Sequence, residues 1–197
     1  SYACIKRKGT HAAADRIQHF LGKAKWRWNK PWIVKADIRK FFYSINHKIL
    51  KELLSMKIKC QKTLKLLFKI IDNSPEEKGL PLGNITSHLF ANLYLNQLDQ
   101  YCKRQLSIKY YIRYMDDIVI IVKGRTEAKQ VINFVEAYLH KNLLLQVNPR
   151  KTKIFPLVPV SSSNKTQTIN FVGYKIYATH KLLRNKSKRK IKNKVKK

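Results

Sequence analysis

Asp116 and Asp117 stand side by side in Tyr110-Tyr-Ile-Arg-Tyr-Met-Asp-Asp-Ile-Val-Ile-Ile-Val122, between two apolar, β-prone runs. That pattern predicts a hairpin: a strand, a tight turn carrying the acids, and a strand back. The chain has 11 acidic residues against 42 Lys and Arg. Two neighbouring acids inside hydrophobic sequence are therefore a poor match for solvating decoration. Adjacent like charges repel, and burial strengthens the repulsion. A hard cation such as Mg²⁺ relieves it through carboxylate oxygens. The competing reading is an Asp-Asp turn with no ligand.

A third acid bears on that choice. Trp32-Ile-Val-Lys-Ala-Asp37 reads as a strand ending in a carboxylate, and Ile38-Arg-Lys-Phe-Phe-Tyr-Ser-Ile45 turns away as a short helix. A lone Asp at a strand end is ordinarily a cap or turn former. It gains chemical meaning only if its strand lies beside the Asp116-Asp117 turn.

The bulk numbers narrow the partners. A chain of 197 residues, 44% hydrophobic and 11% aromatic, can build one good core and is not a disordered basic tail. A formal charge of +31 suits a polyanionic partner, nucleic acid first and an anionic membrane surface second. No apolar run approaches the roughly 20 residues that span a bilayer, and no signal peptide is expected. Cys4, Cys60 and Cys102 are scattered, without zinc-ligand spacing, and read as thiols of a reducing, cytoplasmic compartment.

The elements that must position the acids follow in order. Thr10 caps a helix over 11–21 with Gly22 as its stop and Ala13, Ile17, Phe20 and Leu21 as its apolar stripe. Before it, Lys6-Arg7-Lys8-Gly9 is a basic loop that either binds phosphate or is simply solvated. Trp26 and Trp28, among basic residues, suit either nucleic-acid contact or the core. Two packing helices carry Ile49, Leu50, Leu53 and Leu54, then Leu64, Leu67, Phe68 and Ile71. A turn-rich stretch over 72–79 leads to Gly79-Leu-Pro-Leu-Gly-Asn-Ile-Thr-Ser-His88 and a long helix. Its cap falls near Asn84 or Thr86, and its expected buried side is Leu89, Leu93, Leu98, Tyr101 and Cys102. Another helix starts at Thr126, with Val131, Ile132, Val135, Tyr138 and Leu139 inward. Leu143-Leu-Leu-Gln-Val147 reads as a strand, 156–168 as a polar loop, and Ile169–Tyr177 as a hairpin bent at Gly173. The last stretch, 181–197, holds ten basic residues and no acids, a nucleic-acid-facing helix or a frayed end.

Taken in order, these stretches resemble a reverse transcriptase over its fingers and palm. Asp37-Ile-Arg-Lys-Phe-Phe42 is similar to the first catalytic motif, Gly79-Leu-Pro-Leu-Gly83 through Ser87 to the second, and Tyr114-Met-Asp-Asp117 to the third. Asn148-Pro-Arg-Lys-Thr152 and Phe171-Val-Gly-Tyr174 are similar to the fourth and fifth. Among prokaryotic enzymes, Ser1-Tyr-Ala-Cys through Ala13 and Leu82-Gly-Asn-Ile-Thr-Ser87 resemble the diversity-generating retroelement type. His88, where that type usually has Gln, and Tyr43, where Asp often follows the aromatic, depart from the pattern.

The resemblance implies an α+β right-hand polymerase palm, an antiparallel sheet of ferredoxin-like type packed on helices, with partial fingers and most of the thumb absent. It implies one domain over 1–197: 1–31 partial fingers, 32–177 palm with finger elements, and 178–197 the start of a thumb. The implied reaction joins deoxynucleotides to a DNA or RNA primer 3′-hydroxyl on an RNA template, using two Mg²⁺ ions, or Mn²⁺ in their place. Asp37 and Asp116 would bridge the metals, Asp117 would support them, and the Ile38 carbonyl would be a further ligand. Lys151, with Lys153 as runner-up, would steady the leaving pyrophosphate. Phe42 matches the aromatic gate that excludes a 2′-hydroxyl, against an alternative as a core Phe. Lys6, Arg7 and Lys8 would grip the triphosphate. Gly83, Asn84 and His88 would face the nucleotide and templating base, with His88 as a surface helix residue in the alternative. Tyr114, Met115, Gly173 and Tyr174 would support primer and template. A small basic accessory protein and a prokaryotic or phage-encoded origin go with the retroelement type. The rival readings are a group II intron-like, retron or phage-defence reverse transcriptase, and an inactive RNA-binding remnant.

Overall fold

The computed structural model of the chain describes residues 1–74, 76–157 and 168–195. Four strands form the central antiparallel sheet: β1 (Trp32–Asp37), β2 (Tyr110–Tyr114), β3 (Asp117–Val122) and β4 (Lys153–Pro156), in the order β2-β3-β1-β4. Three short strands, β5 (Ile169–Phe171), β6 (Tyr174–Ile176) and β7 (Lys181–Leu183), form a second sheet. The helices are α1 (Thr10–Arg27), α2 (Phe41–Ser44), α3 (His47–Lys57), α4 (Gln61–Asp72), α5 (Ile85–Gln100), α6 (Arg125–Leu143) and α7 (Asn185–Val195). Helices separate β1 from β2 and β3 from β4, so the main sheet has the β-α-β-β-α-β, ferredoxin-like order.

Strand alternation explains the layering. Val34, Ala36, Ile118, Ile120 and Val122 join the core shared with α3, α4, α5 and α6. Ile33, Ile112, Val119 and Ile121 face the other way, onto Ala13, Ile17, Leu21 and Ala24 of α1. Both faces are covered, which is why β3 reads as an unbroken apolar run rather than an alternating one.

Four local expectations change. Helix α1 begins at Thr10 itself and runs through Gly22 to Arg27. It continues because Ala24 is still core, and Gly22 sits within the helix with room for a Cβ, so it does not act as a stop. Helix α5 buries a broader face than expected: of the expected side, Leu98 and Cys102 are buried and Leu93 and Tyr101 pack against the core, but Leu89 is 64% exposed, and Phe90, Ala91, Tyr94 and Leu95 are buried as well. The helix lies between α3 and α6, so it needs a wider apolar face than a single stripe of leucines supplies. Helix α6 starts at Arg125, where Glu127 accepts the Lys123 N–H at 2.9 Å. Leu143-Leu-Leu-Gln-Val147 is not a strand. Leu143 ends α6, Leu144 takes φ 50°, and only Val147 pairs, with Ile38.

The hairpin bent at Gly173 is present as β5–β6, and the basic tail opens with β7 before α7. The polar loop expected over 156–168 lies mostly outside the described residues, as do Pro75, Lys196 and Lys197.

Candidate active site

In the β2–β3 hairpin Tyr114 pairs with Asp117, leaving Met115 and Asp116 as its two-residue loop. Met115 has φ 52° and is the loop residue at positive φ, the pattern of a type II′ turn, where glycine is preferred. The neighbouring ladder pairs Asp37 of β1 directly with Asp117. Directly opposed like charges destabilise an antiparallel pair. Here they are retained at the strand ends, with Asp116 in the adjoining turn.

Two lysines answer this charge. Lys151 Nζ lies 3.0 Å from Asp37 Oδ2 and 3.2 Å from Oδ1. Lys35 Nζ lies 3.4 Å from Asp117 Oδ1 and donates to the Asn170 carbonyl at 2.7 Å. The fourth-motif segment reaches Asp37 through its backbone as well. The Asn148 N–H donates to the Asp37 carbonyl at 2.7 Å, and Asn148 Nδ2 to Oδ2 at 3.4 Å. Arg39 N–H donates to the Gln146 carbonyl at 2.8 Å. In this pairing the Ile38 carbonyl points away from Val147.

Burial pushes the Asp116 carboxyl above its ordinary range, and the charges of Asp37 and Asp117 add to the rise. Burial also raises Asp117, with Lys35 opposing. The hydrogen bond to Asp37 raises the Lys151 ammonium. The site therefore favours added positive charge, and its donors are the hard oxygens that suit Mg²⁺. The ammonium on Asp37 already stands where a cation is favoured. Among the described residues, however, no three acid, His or Cys side chains form a ready metal cage. Asp37 and Asp117 stand opposite each other on one rung of the β1–β3 ladder, each with a lysine beside it.

Phe42 and the second motif meet. The Phe42 carbonyl accepts the Leu80 N–H at 2.8 Å, and its ring stands edge-on to His88 at 5.4 Å. His88 Nδ1 is buried and has no hydrogen-bond partner. Gly79, at φ 92°, lies so close to the Tyr43 backbone that a Cβ would come within 3.3 Å. Gly83, also at φ 92°, and Asn84 form the exposed approach to α5.

The fifth-motif hairpin reaches the carboxylate turn from the other side. Phe171 packs edge-on against Tyr114 at 6.5 Å, and Tyr174 Oη is 2.6 Å from His11 Nδ1. Arg184 N–H donates to the Gly173 carbonyl at 3.0 Å. Lys6, Arg7 and Lys8 do not reach the carboxylates within salt-bridge distance, and Lys8 instead lies over the Tyr2 ring at 5.3 Å. The tryptophans divide: Trp28 packs on Tyr110, whereas Trp26 is 90% exposed.

Sequence reasoning missed Lys35, Arg150 and Arg184. With Lys151 and Lys153 they line an open cleft of about 820 Å³ beside Asp37 and Asp117. Such a cleft attracts phosphate-rich ligands. It also missed a buried pair: Arg113 Nε and Nη2 donate to the two Asp99 oxygens at 2.8 and 2.7 Å. The available signal was an Arg in an otherwise apolar strand and an Asp beside Leu98 in a core helix.

The family described as reverse transcriptase (RNA-dependent DNA polymerase) matches residues 2–176. Protein YkfC of Escherichia coli (strain K12) is 26% identical over 197 residues, covering 78% of this chain and 51% of its own. The group II intron-encoded protein LtrA of Lactococcus lactis subsp. cremoris is 24% identical over 246 residues, covering 89% and 39%. The putative COX1/OXI3 intron 2 protein of Saccharomyces cerevisiae is 23% identical over 212 residues, covering 75% and 24%. The chain thus spans from about a quarter to about half the length of these relatives. Telomerase from Candida albicans, solved in complex with a fragment of telomeric RNA, aligns with TM-score 0.68 at 13% identity, over 90% of this chain and 34% of that one. Apo telomerase from Candida tropicalis truncated from its C-terminal domain aligns with TM-score 0.68 at 16% identity, over 89% and 40%. At these identities the likeness is one of fold, the right-hand polymerase arrangement of helices on antiparallel sheet.

Proposed function

The chain belongs to the reverse transcriptase (RNA-dependent DNA polymerase) family, and from that premise we propose that it carries the polymerase centre of an enzyme extending a primer on an RNA template. The observation that carries the reading is the Asp37↔Asp117 register with Asp116 in the adjoining turn. Opposed carboxylates in a cleft of lysines and arginines suit a substrate that brings both phosphates and Mg²⁺. Asp37 and Asp116 would hold the metals, with Asp117 and the Ile38 carbonyl in support. Bound there, divalent cations would stabilise the charge of the attacking and leaving oxygens. The work of this chain's own residues is positioning and electrostatics.

Lys151 would give up Asp37 to the metal and turn its ammonium to the pyrophosphate. Lys35 would hold Asp117 in place. Gly83, Asn84 and His88 would border the nucleotide, and Tyr114, Met115, Gly173 and Tyr174 the primer end. Lys6, Arg7 and Lys8 would meet the triphosphate. Residues 1–31 would serve as partial fingers, 32–177 as palm with finger elements, and 178–197 as the start of a thumb. The partners would be an RNA template, a DNA or RNA primer and deoxynucleotides, in the cytoplasm of a prokaryote or a phage-infected cell. No helix among the described residues is long and apolar enough to cross a membrane. Primer extension on RNA by the full-length parent tests the reading, with chelation of divalent cations expected to abolish it.

For the subclass, the stretches Ser1–Ala13 and Leu82–Ser87 support a diversity-generating retroelement enzyme working with a small basic accessory protein. The intron-encoded relatives support a group II-like enzyme instead. Sequencing the flanking DNA decides: a template/variable repeat pair favours the first, intron RNA domains the second.

Two further outcomes follow from the site. Phe42→Ala removes the ring that would meet a 2′-hydroxyl, so ribonucleotide incorporation should rise by about 1–3 kcal/mol of lost discrimination, roughly 10–100-fold. Competing dNTP and NTP incorporation measures this, and unchanged sugar preference would count against the gate. Arg184→Ala removes one cation from the cleft. The slope of log affinity against log salt for a template–primer duplex should become shallower by about 0.9. An unchanged slope would place the nucleic-acid backbone elsewhere.

A further inference from the structure

Asp99 of α5 and Arg113 of β2 are both buried, at 6% and 1% exposure. The guanidinium fork takes both Asp99 oxygens through Nε and Nη2, and the Tyr111 hydroxyl donates to Asp99 Oδ1 at 2.7 Å. The Ser1 nitrogen adds a longer contact to Oδ2 at 3.3 Å. The third guanidinium nitrogen, Nη1, donates to the Met115 carbonyl at 3.1 Å. That carbonyl belongs to the peptide joining Met115 to Asp116. Met115 occupies positive φ, a region costly for a residue with a side chain and held only when surrounding structure over-determines it.

We infer that Arg113 and Asp99 are positioning residues for Asp116. Asp99 fixes the guanidinium plane, and Nη1 fixes the Met115 carbonyl, so the loop keeps the strained turn that aims the Asp116 carboxylate at Asp37. Neither residue touches the reacting atoms. Without the Nη1 bond, Met115 relaxes toward negative φ and the Met115–Asp116 peptide rotates. The catalytic consequence rests on the polymerase reading above, but the conformational one does not.

Arg113→Lys separates clamp from core. A lysine keeps charge opposite Asp99, but it lacks the planar fork that serves Asp99 and Met115 together. Hydrogen exchange read peptide by peptide is the decisive measurement. Exchange over residues 114–118 should speed up roughly tenfold, the scale of one lost charge-assisted hydrogen bond. Exchange in α6 should stay within about twofold of wild type. In single-nucleotide incorporation by the full-length parent, kcat should fall about tenfold while KM for the dNTP moves little, as when an interaction acts on the transition state rather than on binding. A purely structural pair would instead raise exchange evenly across the core and leave kcat per folded enzyme unchanged, and either result overturns the inference. If Arg113→Lys fails to fold, the double change Asp99→Leu with Arg113→Met replaces the pair by apolar groups, a swap that commonly keeps stability. The same local exchange signature is expected there, and its absence contradicts the clamp. Should wild-type protein extend no primer, the polymerase reading falls, while the exchange pattern still decides this one.

Discussion

Asp116→Asn should abolish metal-dependent primer extension while leaving the protein at least as stable as wild type. Partners one step removed from a metal are worth about 10–100-fold each in affinity or activity. Loss of a carboxylate that would itself hold the metal should exceed that, reaching roughly 10³-fold or more. The stability half follows from charge. Burial first, and then Asp37 and Asp117, push the Asp116 carboxyl upward. Its ionised form is therefore disfavoured by folding at neutral pH, and neutral Asn removes that cost. Thermal melting without divalent cation should show an unchanged or higher Tm. A fall in Tm together with lost activity would mean that Asp116 is a structural residue, and retained activity would sink its assignment.

The largest stability effect is expected at Asp99→Asn. The substitution leaves the Arg113 guanidinium buried without its counter-charge. Breaking a buried pair from one side costs about 3–5 kcal/mol, a drop in Tm on the order of 10 °C for a domain of this size. The pH dependence has a definite sign. Burial pushes the Asp99 carboxyl up, but its bonds to Arg113 outweigh this and hold it below the ordinary value. A depressed folded-state pKa gives stability that is complete above the unfolded value of about 3.9. That stability is lost as pH falls through the lower, folded value. Wild type should therefore lose stability steeply below about pH 4, and Asp99→Asn should start lower with a flatter acid limb. Denaturant melts across that range measure both, and parallel acid limbs would contradict the account.

Much of the frame was legible because it rests on local rules. The Asp-Asp hairpin follows from two apolar runs of strand length around a two-residue turn. The packing faces of α3, α4 and α6 follow from helical periodicity. Helix α5 resisted because a helix enclosed by neighbours has no single stripe, so Leu89 counted as core when it is exposed. Leu143–Val147 resisted for a related reason. Leu143 finishes α6, Leu145 is buried in the core and Val147 bridges to Ile38, and an apolar run of that length fits either state.

The candidate site divides in the same way. Asp37, Asp116 and Asp117 were visible as acids at strand ends, but their adjacency depends on the β1–β3 register, a long-range fact. Lys35 carries no spacing signal of its own, and the β1–β3 register with strand alternation brings it to Asp117. The Asp99–Arg113 pair joins a helix to a strand across the core, and no spacing rule links the two. Of the basic run Lys6, Arg7 and Lys8, Lys8 lies over the Tyr2 ring, and Arg7 and Lys8 border a surface hollow with Ala12, Asp15, Arg16 and His19 of α1.

The most direct test of the central claim is single-nucleotide incorporation by the full-length parent on an RNA template with Mg²⁺, comparing wild type with Asp37→Asn. Wild type should add the nucleotide rapidly, and not at all after chelation, and the variant should lose roughly 10³-fold or more. Addition by Asp37→Asn at the wild-type rate would contradict the claim, because the carboxylates paired across β1 and β3 would then not be the catalytic centre.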